Sequence, residues 1–290
     1  MQIENPYAPV EELKVPLFEN KGIQLFIKRE DLSHPFISGN KWRKLKYHLI
    51  EARKNNKTEL VTFGGAYSNH LLATAAAGAK YHFKTTGFVR GEEIINPVLQ
   101  LCDWFGMRLI FVSRSDYKEK TNLYHLHFGA DPNAYFIDEG GAGENGEAGV
   151  RELLDDLPES FDIIACSVGT GCTFKALVEG VLSKQWPTQV YGISILKGVY
   201  ALENLVQHIP QNYWQLFHQF HEGGYAKTSP ELLAFIKLFA SQTGVLLDQV
   251  YEGKMMLALH KLVADNHFKP GSRILALHNG GLSGMLSLLQ

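Results

Sequence analysis

The chain has 290 residues, 28 Lys and Arg against 30 Asp and Glu, a formal net charge of -2 and 45% hydrophobic residues, which excludes disordered, collagen-like and coiled-coil chains. Near-neutral charge speaks against nucleic acid or a membrane surface as a general partner, and no run approaches the roughly 20 apolar residues of a bilayer span. The 3 cysteines, Cys102, Cys166 and Cys172, are too few for a disulfide scaffold and fit no common zinc spacing, so no metal is expected and a reducing cytoplasm is the expected location.

Residues 1–6 carry no basic segment followed by an apolar core, so no secretory signal is expected there. From there on, short apolar runs followed by glycine or polar caps and amphipathic stretches repeat to the end, the pattern of βαβ units. Strands are expected at 23–28, 60–63, 85–89, 108–112, 135–137, 162–166, 189–195 and 273–277. Runs such as Ile163-Ile164-Ala165-Cys166 do not alternate in polarity, as parallel strands buried on both faces should not. The fold class is therefore α/β. The Gly-rich segment 140–146 is the expected hinge, and 221–225 is the other conspicuous flexible stretch.

The first helix with chemical interest follows Ser38-Gly39-Asn40-Lys41-Trp42-Arg43-Lys44-Leu45. Trp42, Leu45, Leu49 and Ala52 form an apolar stripe at helical spacing, Asn40 is the expected cap, and Lys41, Lys44 and His48 share the neighbouring face. An amine is a nucleophile only when deprotonated, and moving a lysine pKa from about 10.4 to about 7.5 takes roughly 4 kcal/mol. A helix N-terminus with Arg43 and Lys44 nearby pushes Lys41 in that direction. A solvated basic helix face is the plain alternative.

Next comes Thr62-Phe63-Gly64-Gly65-Ala66-Tyr67-Ser68-Asn69-His70, between a strand and an alanine-rich helix. Its glycine pair lets backbone approach a ligand, Ser68 and Asn69 can cap the helix, and exposed helix amides favour a carboxylate. A well-capped βα turn explains the same residues without a ligand. The loop Cys166-Ser167-Val168-Gly169-Thr170-Gly171-Cys172-Thr173 likewise joins strand to helix. Its glycines and threonine hydroxyls suit a phosphate without a lysine, and no Gly-Lys-Ser/Thr completes a Walker motif. Last comes Asp248-Gln249-Val250-Tyr251-Glu252-Gly253-Lys254, with Tyr225 upstream and Leu277-His278-Asn279-Gly280-Gly281 downstream. Tyr251 offers an aromatic face, and Glu252 could hold a proton on a heteroaromatic nitrogen or simply favour a helix start.

Three patterns mislead. Gly141-Ala142-Gly143-Glu144-Asn145-Gly146 satisfies the dinucleotide-binding spelling, but it lies late in the chain and lacks a following ribose-binding acid. His125 and His127 lack a metal partner set, and Ser68 with His70 lacks the elbow of a serine hydrolase.

An imine-forming lysine, a phosphate cradle, a carboxylate-binding cap, an aromatic platform and an acid for a ring nitrogen are together what pyridoxal phosphate requires. Over nearly its whole length the chain also resembles the pyridoxal-phosphate enzymes of tryptophan-synthase-β-like fold, specifically the 1-aminocyclopropane-1-carboxylate deaminase/D-cysteine desulfhydrase group. The resemblance rests on Lys28-Arg29-Glu30-Asp31, Gly39 to Leu45, Gly65 to His70, Val168-Gly169-Thr170-Gly171, Val250 to Lys254 and His278-Asn279-Gly280-Gly281.

That resemblance implies three-layer parallel sheets in two domains, a large cofactor domain from 1–44 and 149–290 and a small inserted α/β domain from 45–148. It implies Lys41 as the Schiff-base lysine and α-proton base, Asn69 against the cofactor's phenolic oxygen, and Ser68 beside the substrate carboxylate with Asn69 and His70. Val168, Gly169, Thr170, Gly171, Cys172 and Thr173 would hold the phosphate. Tyr225 and Tyr251 match the two active-site tyrosines, and Glu252 matches the acid serving the pyridine nitrogen, with Asn279 close by. Deaminases of the group resemble Glu then Leu at the positions of Glu252 and Asn279; desulfhydrases commonly show a small hydroxylated residue then Thr. Glu252 leans toward the deaminase, and the polar Asn279 toward neither. The expected activity is release of ammonia and a 2-oxo acid from a small amino acid, D-cysteine ahead of the cyclopropane substrate, by a homodimer. A pyridoxal-phosphate binder without turnover and a nicotinamide oxidoreductase are the competing classes.

Overall fold

The computed structural model describes residue 3 and residues 7–288; most of the segment in which no secretory signal is expected lies outside the described residues. The strands are β1 (Val10–Leu13), β2 (Gln24–Arg29), β3 (Glu59–Gly65), β4 (Lys84–Arg90), β5 (Met107–Val112), β6 (Ala134–Ile137), β7 (Ile163–Val168), β8 (Gln189–Ser194), β9 (Trp214–Phe217) and β10 (Arg273–His278). The helices are α1 (Pro16–Asn20), α2 (Asn40–Lys54), α3 (Asn69–Tyr81), α4 (Pro97–Trp104), α5 (Lys120–Phe128), α6 (Glu144–Arg151), α7 (Cys172–Ser183), α8 (Pro230–Thr243) and α9 (Glu252–Ala264). The architecture is α/β, as expected.

Two sheets form, one of six strands in the order β1-β2-β10-β7-β8-β9 and one of four in the order β5-β4-β3-β6. Among the described residues all pairings are parallel except β1 with β2. Every residue of β7 is buried, which is why its sequence shows no alternation. The six-stranded sheet takes strands from both ends of the chain, while the four-stranded sheet is built from consecutive middle segments. Each expected strand is present. The unexpected ones, β1 and β9, are four-residue edge strands, and Val10-Glu11-Glu12-Leu13 carries two adjacent acids that mask its periodicity.

The 140–146 segment is a packed turn. It forms the 3-10 helix Glu139–Gly141 and the start of α6. A Cβ on Gly146 would lie 2.0 Å from the Gly141 carbonyl oxygen, and one on Gly149 would lie 1.9 Å from that of Arg43. Its glycines thus let α6 sit on its own turn and on α2.

Arg43 anchors the start of α2. Its fully buried guanidinium donates to both Glu30 oxygens, each at 2.7 Å, and to Asp156 at 2.7 Å. The three cysteines are free and buried. No helix among the described residues is long and apolar enough to cross a membrane, and no group of three or more His, Cys, Asp or Glu among them could hold a metal ion.

Candidate active site

The C-terminal ends of the strands carry the site, as they do in open α/β sheets. At the end of β2 the chain turns through Gly39, whose N–H donates to Glu30 O at 2.9 Å and whose φ of 67° starts α2. A Cβ there would lie 1.7 Å from the Asn279 carbonyl oxygen. Only glycine lets the loop after β10 close onto the start of α2. Gly39, not Asn40, is therefore the cap residue, and no side chain caps this helix. Asn40 is a cross-link instead: its Nδ2 donates to Thr173 Oγ1 at 3.1 Å, and its Oδ1 accepts from Lys41 Nζ at 2.7 Å.

Lys41 reaches a cleft of about 1560 Å³. Burial above all, with the charge of Lys44, lowers its pKa from 10.5 to about 7, against the pull of Cys172, Glu252 and Asp248. The residue remains half-buried by surface area because the cleft it faces is open; its setting deep among protein atoms decides the proton affinity. Arg43, expected to help, is neutralised by Glu30 and Asp156. Lys44 itself is buried, forms no ion pair among the described residues, and donates only to the Gly140 carbonyl at 3.3 Å. It is not part of a solvated basic face.

Ser68 caps α3, accepting from the Leu71 N–H at 3.3 Å. Asn69 accepts a hydrogen bond from the Ser283 hydroxyl, which ties α3 to the segment after β10. Both line the cleft. His70 also touches it, but its Nε2 pairs with Thr62 Oγ1 at 2.8 Å, and burial, with Lys41 and Lys44, holds its pKa well below 6.5. It is a neutral core imidazole.

In the loop after β7, Val168, Gly169, Thr170, Gly171 and Thr173 line the cleft and Cys172 does not. Gly171, at φ 89°, starts α7. The Cys172 thiol is buried toward α6, 3.6 Å from where a Cβ of Gly146 would stand.

Asp248 is a site residue that sequence reasoning missed. Its carboxylate accepts from the N–H groups of Val250 (2.8 Å), Tyr251 (3.0 Å) and Glu252 (2.9 Å), and so organises the start of α9. An Asp a few residues before a helix is the signal that could have found it. The Tyr251 and Tyr225 rings stand 6.2 Å apart at 72°. Burial and the neighbouring Tyr225 raise the Tyr251 phenol well above 10.

Glu252 is 1% exposed. Its Oε1 accepts from Ser167 Oγ at 3.1 Å, while Oε2 makes no well-formed hydrogen bond among the described residues. Burial, reinforced by Asp248, raises its pKa well above 4.5. Asn279, also buried, lies close enough to ease that rise, yet neither of its amide atoms makes a well-formed hydrogen bond. The site thus holds unpaired buried groups where a ligand would complete them.

These groups match one ligand chemistry. A lysine amine near neutrality suits an aldehyde, Lys44 and the glycine loop suit a phosphate, and the open Glu252 oxygen suits a ring nitrogen. The chain belongs to the pyridoxal-phosphate-dependent enzymes: the model of that family matches residues 5–280. Its cofactor is pyridoxal phosphate.

Particular relatives narrow the group. A Thermotoga maritima protein, named only provisionally as a 1-aminocyclopropane-1-carboxylate deaminase, is 31% identical over 97% of this chain and 95% of its own. The bifunctional D-cysteine desulfhydrase/1-aminocyclopropane-1-carboxylate deaminase of Arabidopsis thaliana is 28% identical, over 96% of this chain and 77% of that one. D-cysteine desulfhydrase of Serratia proteamaculans is 26% identical over 97% and 93%. The crystal structure of an ACC deaminase homologue superposes with a TM-score of 0.83 at 25% identity, covering 98% of this chain and 94% of that one.

Proposed function

We propose that this protein is a lyase releasing ammonia and a 2-oxo acid from a small amino acid, with D-cysteine as the leading substrate. The observation that carries the reading is Lys41, an amine titrating at about 7 and facing the cleft from the start of α2. Bound pyridoxal phosphate supplies an electron sink for the bond broken at the substrate α carbon.

The chain's own residues divide the remaining work. Lys41, its proton affinity lowered by burial, would hold the cofactor through its amine and would serve as base for the α proton. Ser68, Asn69 and the amides opening α3 receive the substrate carboxylate. Lys44 and the loop from Gly169 to Thr173 hold the phosphate, and Glu252 keeps a proton at the ring nitrogen. Tyr251, protonated across the working range, can give a proton to the leaving group, with Tyr225 beside it. For D-cysteine the products are pyruvate, ammonia and hydrogen sulfide, with one water consumed.

Glu252 supports a second substrate, since the deaminases of the group share Glu at this position; the polar Asn279 departs from their apolar residue. For the cyclopropane substrate Tyr251, Lys41 and Ser68 are the candidates to attack or deprotonate a ring methylene. Assaying sulfide and pyruvate from D-cysteine beside 2-oxobutanoate from the cyclopropane amino acid separates the two. Turnover of neither would remove both and leave a binder without catalysis.

In the same reading residues 45–148, which contain the four-stranded sheet, move as a small domain toward the rest and bring Ser68 and Asn69 to Lys41. A homodimer and a cytoplasmic setting belong to it as well, tested by light scattering and by cell fractionation.

A further inference from the structure

Lys254 lies on α9 two residues beyond Glu252, and its side chain is fully buried. The ammonium donates to two backbone carbonyls, His221 O at 2.9 Å and Gly224 O at 2.7 Å. Both belong to the loop that carries Tyr225. The same carbonyls also accept from the loop's own backbone, His221 O from Gly224 N at 3.0 Å and Gly224 O from Lys227 N at 3.1 Å. The loop is wound on itself with its oxygens turned toward one cation.

The backbone there is unusual. Glu222 (φ 49°), Gly223 (φ 90°), Gly224 (φ 111°) and Ala226 (φ 55°) are all left-handed, a region that Glu and Ala rarely adopt. Such a run persists only where its surroundings over-determine it. Tyr225, 46% exposed, stands in the middle of this run with its ring against Tyr251. The outer rim has its own ties: Glu222 accepts from Ser229 Oγ at 2.7 Å and faces Lys261 at 3.5 Å. The inner tie is Lys254. Burial lowers its pKa to about 8, opposed by Glu222 and Asp248, so the ammonium is present at neutral pH.

We propose that Lys254 is a positioning residue, a built-in cation around which the 221–226 loop folds so that Tyr225 is held against Tyr251 at the cleft. Its effect on turnover rests on the role given to Tyr225 above; its effect on the loop does not.

The test is hydrogen exchange by mass spectrometry on the holoenzyme, comparing wild type, Lys254→Met and, as a control on the outer rim, Lys261→Met. Lys254→Met should speed exchange across 221–227 by on the order of tenfold or more, leaving β7 and α9 protected and the cofactor absorbance intact. Lys261→Met should change the loop far less. Wild-type exchange in a folded Lys254→Met, or loosening spread evenly through α9, would overturn the clamp. Should Lys254→Met not fold, Lys254→Gln gives the same comparison, and a loop as protected as wild type would overturn the proposal.

A double-mutant cycle then reads the consequence for turnover. With Tyr225→Phe present, Lys254→Met should add little further loss in kcat, whereas fully multiplicative losses would count against action through Tyr225. Normal turnover in Tyr225→Phe alone would remove the catalytic reading of that tyrosine and leave exchange to decide the clamp.

Discussion

Replacing Lys44 by methionine removes a buried positive charge one helical turn from Lys41 while keeping most of the side chain's apolar contact. Lys41 falls from 10.5 to about 7, three and a half decades of proton affinity, or about 5 kcal/mol against the ammonium. Burial supplies the larger share and Lys44 comes next. Two charges about 6 Å apart, the Cβ spacing of helix neighbours one turn apart, repel by about 3 kcal/mol at an effective dielectric of about 20, which sets the scale of the part that Lys44 supplies. In Lys44→Met the amine should therefore titrate one to two decades higher, near pH 8 to 9, by that same electrostatic scale. The assay is capture of free pyridoxal by protein stripped of its cofactor. Pyridoxal carries no phosphate, so the anion-binding role proposed for Lys44 does not enter. Absorbance follows the rate across pH, and borohydride reduction with mass spectrometry locates the tag. The wild-type rate should level off above about pH 7 and the variant rate should climb further, both tagging Lys41. Identical midpoints would refute the electrostatic account, and a wild-type rate still rising at about pH 10 would refute the lowered pKa itself.

Two further outcomes follow from buried charge. Glu30→Gln leaves Arg43 buried with a single ionised partner, and should cost about 3 to 5 kcal/mol in urea denaturation; a loss under about 1 kcal/mol would mean that the pair is dispensable. In stripped protein, Lys41 binds its proton more weakly folded, at about 7, than at its ordinary 10.5. The native state then binds fewer protons than the unfolded state between those values, so stability rises with pH across that window, and below it the penalty for charging Lys41 is complete. Lys41→Met removes the penalty. The variant should be more stable than wild type at pH 6 by a few kcal/mol, with the gap closing toward about pH 10; a difference in melting temperature that ignores pH would contradict it.

What could be read from the residues in order was local. Strand positions, the βα loops at Ser68 and Gly169, and a lysine opening a helix all declare themselves through periodicity and turn chemistry spanning a few neighbours. Other features depended on segments that meet only after folding. Asn40 resembles a cap in sequence, yet the carbonyl of Asn279 from the other end of the chain leaves room only for Gly39 to turn, and Asn40 is free to bridge Lys41 and Thr173. Arg43 resembles a neighbour that would push the Lys41 proton off, until Glu30 and Asp156 close around it. Lys44 and Lys254 read as ordinary helix lysines and prove to be buried cations, one with no carboxylate partner among the described residues and the other gripped by two backbone carbonyls. Chain order encodes which groups are present and how each segment prefers to coil. The proton affinity of a side chain is set by its distance from water and from other charges, and those distances exist only once remote segments have packed together.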